Sequence, residues 1–308
     1  MKAVNKILTT ILTLAMLTSA VSCGGGPASG ASIEKDREGN FIKLPKSIDK
    51  IISMGPSNTE ILVALGCGDK IIATDSYSDN IEGIAPGISV FDMMAPDGEQ
   101  ILNMQPDVVF VTGMSKADGS GDLLKSVADA GVCVIYMPSS SSLEAIMDDI
   151  RYIAAVMNAE EEGEAIISDM EKAVAVVKEI GEAITEKKKV YFEIEAPPYM
   201  CSFGDGVFLN ELIGLIGAEN IFSGHESWIL PTDEAILYAD PDVILTSVNY
   251  IADPVGGIKA RPGWNMITAV KNDAVYRIDT DASNRPSHHV VKALEEMAKA
   301  IYPDKYIK

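Results

Sequence analysis

The sequence is short of the residues that bind metals and nucleic acids. It holds three histidines in 308 residues. His225 stands alone, and His288 and His289 are neighbours whose side chains would diverge by about 100° on a helix, so a zinc or manganese cluster of several histidines is not available. Basic residues number 25 against 45 acidic ones, for a formal net charge of −20. A chain of that sign is repelled by phosphate backbones, which excludes nucleic-acid binding. Cysteines number four. Cys67, Cys133 and Cys201 lie among apolar or small neighbours and read as buried thiols, not as a disulfide framework. There is no Gly-x-Ser-x-Gly elbow, no phosphate loop and no His-Glu-x-x-His, so no enzyme, resident metal or cofactor is indicated. Only the N-terminus carries a long apolar run, which argues against a polytopic membrane protein.

That run opens with Lys2 and Lys6, continues as an apolar stretch from Ile7 to Leu17, and ends in small residues before Cys23. It is too short to span a bilayer comfortably and reads as a signal peptide over residues 1–22. Its end resembles a bacterial lipoprotein signal, in which Cys23 becomes the acylated first residue. An ordinary cleavage site nearby is the alternative. The Gly/Pro/Ser-rich stretch that follows supplies the slack an anchored protein needs, and residues 23–40 are assigned to a tether. Loss of the two lysines with the signal leaves a still more acidic protein, held at the extracytoplasmic face of the membrane by its lipid alone.

The remaining chain alternates Val/Ile-rich runs with helical patterns, the signature of parallel β-α-β units. Strands are predicted at 50–54, 70–74, 107–112, 132–137, 189–194, 242–246 and 274–278. An internal repeat organises them. Glu99-Gln-Ile-Leu runs to Pro106-Asp107-Val108, and Glu234-Ala-Ile-Leu runs to Pro241-Asp242-Val243 at the same spacing. Upstream, Glu60-Ile61-Leu62 leads to Leu65-Gly66, and Glu211-Leu212-Ile213 leads to Ile216-Gly217. Between the copies, Ile166, Met170, Val174, Val177, Ile180 and Ile184 recur every three or four residues and mark one face of a long helix. Gly163 and Gly181 are its only weak points. The predicted fold is therefore α/β, with two pseudo-symmetric lobes (41–157 and 188–308) joined by a single helix (158–187) and a ligand cleft between them. The stiff linker predicts a modest rocking motion.

The stretch Ile51-Ile-Ser-Met-Gly-Pro-Ser-Asn-Thr-Glu-Ile-Leu62, followed by Ala64-Leu-Gly66 and Gly68-Asp-Lys-Ile-Ile-Ala73, resembles the opening of the substrate-binding proteins of iron-siderophore, haem and cobalamin ABC importers. Gln105-Pro-Asp-Val-Val109, Gly217-Ala-Glu-Asn-Ile-Phe222 and Asp240-Pro-Asp-Val-Ile244 extend the resemblance over nearly all of residues 41–308. Tyr77-Ser78-Asp79, Pro197-Pro198-Tyr199 and a Trp shortly before Glu234 are similar to the cobalamin-binding branch. The resemblance implies a monomeric receptor that captures a corrinoid, haem or ferric siderophore and delivers it to a permease dimer with its ATPase. A metal-chelate processing enzyme, or a surface sensor or adhesin on the same plan, is the alternative.

A large ligand of this kind needs aromatic faces and a few aimed polar groups at the carboxyl ends of strands. Aromatics make up only 6% of the chain, so their clustering carries information. Tyr77, Tyr199, Phe203, Trp228 and Trp264 are the candidates, with core packing as the other reading, and Phe91 and Met93 compete for the place before Glu99. Pro56 and Asn58 lie in a strand-to-helix turn, where Ser57 and Glu60 have the spacing of a capping box. Arg285 resembles a cleft-lining position and suits a carboxylate. The resemblance also implies that Glu99 and Glu234, one per lobe, pair with arginines on the two permease subunits; stabilisation of a helix N-terminus is the simpler role for each.

Overall fold

Strands built of Val and Ile bury both faces, so helices must cover each sheet on either side. This computed structural model describes residues 33–113 and 122–306; the signal, Cys23 and the glycine-rich stretch after it lie outside the described residues. The N-terminal lobe comprises β1 (Ile51–Ser53), α1 (Pro56–Ala64), β2 (Ile71–Asp75), β3 (Ser89–Phe91), α2 (Gly98–Met104), β4 (Val108–Thr112), α3 (Lys125–Asp129), β5 (Cys133–Met137) and α4 (Leu143–Met157). Its sheet runs β3-β2-β1-β4-β5, all parallel. Val108, Val109, Phe110 and Val111 of the central β4 are fully buried, as their unbroken apolar run requires.

Helix α5 (Glu160–Glu182) follows, 23 residues or about 34 Å long. The C-terminal lobe then adds β6 (Lys189–Glu193), β7 (Ser202–Phe203), α6 (Phe208–Leu215), β8 (Glu219–Asn220), β9 (Trp228–Ile229), α7 (Asp233–Ala239) and β10 (Val243–Thr246). It closes with α8 (Pro254–Lys259), α9 (Thr268–Lys271), β11 (Val275–Arg277), α10 (Thr280–Asn284), α11 (Val290–Ile301) and α12 (Pro303–Tyr306). Its main sheet runs β8-β6-β10-β11, again parallel, while β7 and β9 pair antiparallel. Laid over one another, β2-β1-β4-β5 and β8-β6-β10-β11 are the same sheet drawn twice.

All the strands expected from Val/Ile runs are present. The short β3, β7, β8 and β9 were not expected, because two or three residues show no periodicity. The residues assigned to the end of the tether also differ from expectation. Buried Asp36 accepts from the backbone N–H of Tyr136, Arg37 pairs with Asp149 at 2.7 Å, and the Tyr152 hydroxyl donates to the Lys35 carbonyl. The chain is thus fastened to the N-terminal lobe from residue 33 on.

The glycines of α5 are not weak points either. A Cβ on Gly163 would lie 2.6 Å from Ala154 Cβ of α4, and one on Gly181 would lie 2.0 Å from the Leu215 carbonyl oxygen at the end of α6. One glycine seats the helix against each lobe. Around that seat a single apolar cluster runs through both lobes, from Ile51, Ile61 and Phe110 through Ile167, Met170 and Val177 to Val190, Leu212 and Leu294. Separate smaller clusters fill the outer faces of the two sheets.

Candidate ligand cleft and docking surface

The carboxyl end of the N-terminal sheet is held by a buried polar chain. The Asp75 carboxylate accepts from the backbone N–H groups of Gly55 and Tyr77 and from the Ser78 hydroxyl. Ser78 continues to Thr59, and Thr59 to Ser53. This chain ties the turns after β1 and β2 together and presents Tyr77, which is 61% exposed. Asn58 is consumed internally: it is buried and donates to the Met54 carbonyl. Pro56 opens α1, Gly55 is its N-cap, and no side chain caps the helix. The capping box expected from Ser57 and Glu60 does not form, because Glu60 turns instead toward the other lobe.

In the C-terminal lobe, Tyr199 follows β6 and is 75% exposed, and Trp228 is 54% exposed. Trp228 stands edge-on against Phe203 at 6.3 Å, and Phe203 rests on Phe192. Phe203 is itself fully buried, so it supports Trp228 and offers no face of its own. Trp264 is 0% exposed. Its Nε1 donates to Asp233 at 2.9 Å, Tyr191 packs on it, and Arg261 stacks over its ring at 4.4 Å. The cleft role considered for Trp264 is therefore corrected to core packing. Phe91 and Met93 are buried in the outer cluster of the N-terminal lobe, and neither supplies the aromatic face sought before Glu99. Tyr250, exposed after β10 and accepting from the Ala196 N–H, is a further exposed aromatic of this lobe. It was missed because a lone tyrosine in a polar loop carries no pattern.

Two arginines near the carboxyl ends of the strands, Arg261 and Arg285, are already neutralised, while Arg277, the last residue of β11, is exposed. Arg261 makes a two-pronged bond to Glu193 at 2.6 and 2.8 Å. Arg285 donates to Glu60 at 2.8 Å and to the Tyr77 carbonyl at 2.9 Å, and pairs with Asp281 at 3.0 Å. Arg285 sits beside Tyr77, but its charge is occupied by protein carboxylates, so it has no unpaired charge to offer a ligand carboxylate.

Below this seam lies a cavity of about 520 Å³, walled by Glu60, Asn80, Asp279, Arg285, His288 and Lys292 and by none of the exposed aromatics. The rings of His288 and His289, expected to diverge, instead lie 4.0 Å apart at a tilt of 39°, because both residues stand in the turn ahead of α11 and not on the helix. Burial and the neighbouring His289 push the His288 imidazole down to about 4. Among the described residues no group of His, Cys, Asp and Glu is placed to hold a metal ion. Cys67 and Cys133 are buried free thiols, and burial pushes Cys133 up to about 11; Cys201 is only half-buried, a partial departure from the reading of its sequence.

Glu99 and Glu234 are both exposed, each in the first turn of its helix. The flanking structure repeats. Asp97 caps α2 and Thr232 caps α7, while Gln105 and Asp240 end the two helices in the left-handed conformation. Glu234 bonds its own backbone N–H and the Thr232 hydroxyl, which hold its carboxyl below the usual range and keep it ionised.

Two matched α/β lobes on a continuous helix, with aromatic faces at the strand ends, define a bilobal solute-binding protein. The periplasmic binding protein family matches residues 51–282. The chain is 31% identical to the uncharacterized ABC transporter substrate-binding lipoprotein YvrC of Bacillus subtilis, over 88% of this chain and 85% of that one. It is 26% identical to the vitamin B12-binding protein of Vibrio cholerae, over 84% of this chain and 91% of that one. A possible iron-binding (periplasmic solute-binding) protein of Staphylococcus epidermidis superposes with a TM-score of 0.73 at 27% identity, covering 83% of this chain and 100% of that one. The chain belongs to the periplasmic binding protein family. It groups there with substrate-binding proteins of ABC importers of the cobalamin, haem and siderophore type.

Proposed function

We propose that this protein is the corrinoid receptor of an ABC importer, anchored by a lipid on Cys23. The observation that carries the choice of ligand is the pairing of exposed aromatic faces with occupied arginines. Tyr77, Tyr199 and Trp228 offer flat apolar area, while Arg261 and Arg285 are held by Glu193, Glu60 and Asp281. A corrinoid rimmed with uncharged amides suits such walls. Haem brings two propionates into a strongly acidic protein and finds these two arginines already paired. The vitamin B12-binding relative supports the same choice.

Delivery follows from the two exposed glutamates. A permease built on a two-fold axis offers two matching sockets, and Glu99 and Glu234 supply one acidic plug per lobe. Exposed pairs of this kind contribute little affinity but fix orientation and speed encounter.

The ligand is tested by purifying the protein from medium containing cyanocobalamin, haemin and a ferric hydroxamate, then recording its visible spectrum. A retained corrinoid spectrum is expected; a haem band without corrinoid overturns the choice. Cys23→Ser tests the anchor: release from membranes with a normal fold is expected, and an acylated, membrane-bound variant contradicts it.

A further inference from the structure

Helices α1 and α6 occupy equivalent places in the two lobes, and each carries a glutamate at the same register. Glu60 reaches out of the N-terminal lobe: Oε1 accepts from Arg285 Nη1 at 2.8 Å and Oε2 accepts from the Ser287 hydroxyl, just ahead of α11. Glu211 reaches the opposite way, its Oε2 accepting from the backbone N–H of Leu143 at 2.8 Å, the first residue of α4. Helices α4 and α11 are themselves equivalent. Each glutamate therefore crosses the seam to the start of the long helix that follows the last sheet strand of the other lobe. The local caps leave room for this. Ser142 caps α4 through Ala145 and leaves the Leu143 N–H free for Glu211, while no side chain caps α11.

The two crossings are unequal. Glu60 is buried and Arg285 partly so, with side chains 4% and 11% exposed, and the bond between them is charge-assisted. Glu211 is exposed and holds a single backbone donor across the seam, which water can replace. We propose that Glu60 and Glu211 are positioning residues, a pair of cross-lobe ties that set the width of the ligand cleft. The Glu60 side is the pivot, and the Glu211 side is the edge that parts when ligand enters or leaves. The shared apolar core limits the motion to a small rotation about the buried tie. The corrinoid reading enters only through the ligand used in the second measurement below; the ties themselves rest on the distances above.

The full chain is labelled with spin probes on genetically encoded residues at exposed Lys125 and Lys271, one per lobe, and the distance between them is measured without ligand. Glu211→Ala is expected to broaden the distribution toward longer distances while circular dichroism and the unfolding midpoint stay near the parent's. In stopped-flow experiments the same variant releases cyanocobalamin about five-fold faster, the equivalent of one lost hydrogen bond. Glu60→Gln broadens the distribution more. Because it strips Arg285 of its buried partner and leaves it only the more exposed Asp281, the double replacement Glu60→Gln with Arg285→Gln provides a second variant without that imbalance of charge. Distributions that match the parent in folded Glu211→Ala and in the double variant overturn the proposal. If the parent binds no cyanocobalamin, the corrinoid reading fails by itself, and the distances still decide the ties.

Discussion

Asp107 and Asp242 make the same bond in the two lobes. Asp107 follows α2, accepts from the backbone N–H groups of Asp49 and Lys50 at 2.8 and 2.9 Å, and returns its own N–H to the Lys50 carbonyl. Asp242 follows α7, accepts from the Lys189 N–H at 2.8 Å, and returns its own N–H to the Lys189 carbonyl. Each aspartate thereby locks a helix–Pro–strand corner onto the start of the neighbouring strand, and the helix ahead of it carries Glu99 or Glu234 outward in the same register.

That equivalence leads to the first prediction. Glu99→Ala combined with Glu234→Ala leaves ligand affinity intact and cripples uptake, and reversal of both to Lys is more damaging because like charges then meet. A transport assay run beside a binding assay on the same protein decides it; normal uptake with normal binding removes the docking role.

The two tryptophans separate by experiment as they do by burial. Trp228→Ala weakens ligand binding by roughly 1–3 kcal/mol and leaves folding nearly unchanged, since much of the ring faces solvent. Trp264→Ala lowers stability by about 3–5 kcal/mol, because it empties a core site and strips Asp233 and Arg261 of a shared partner. Calorimetry and denaturant titration of both variants check the assignment, which fails if the two behave alike.

Helix propensity alone favours alanine over glycine by about 1 kcal/mol. At Gly181 the opposite outcome is expected, a loss of about 1–3 kcal/mol, because the new methyl meets the Leu215 carbonyl. A thermal melt of Gly181→Ala that equals or exceeds the parent's would contradict the close seating of α5.

His288 gives the protein an acid sensitivity of known sign. Its folded value lies at about 4, below the ordinary 6.5. Between those values the unfolded chain binds a proton that the folded chain refuses, so stability is fully present above about pH 6.5 and falls as the pH drops toward 4. The contribution is about 2–3 kcal/mol. His288→Gln is expected to lose less stability than the parent between pH 7 and pH 4.5, as read by chemical denaturation at the two values. Equal losses would assign the acid response elsewhere.

The lobes and the linker were legible in the sequence because their signals are local. A buried parallel strand needs an apolar run, and a two-faced helix needs its period. The repeat added the pairing of lobes through the spacing of Glu, Gly and Pro. The site was only partly legible. Trp228 and Trp264 stand in similar Gly/Pro-rich loops, and what distinguishes them is an aspartate at 233 and an arginine at 261 folded onto the second. Arg285 suggested a ligand carboxylate until its partner proved to be Glu60, far away in the chain and in the other lobe. Gly163 and Gly181 looked like defects because propensity weighs a helix alone, whereas their use lies in the backbones packed against them.

The apolar cluster that passes beneath both lobes has a consequence for signalling. Two halves that share one interior are expected to move by only a small rotation, so ligand capture is expected to leave the overall shape nearly unchanged. On the proposed docking role, it is announced by a slight change in the span and angle between Glu99 and Glu234. A membrane partner that grips both points at once would act as a caliper, sensing occupancy as tension across its own two-fold axis, and any force it applied in return would arrive at the cleft with little lost in the protein between.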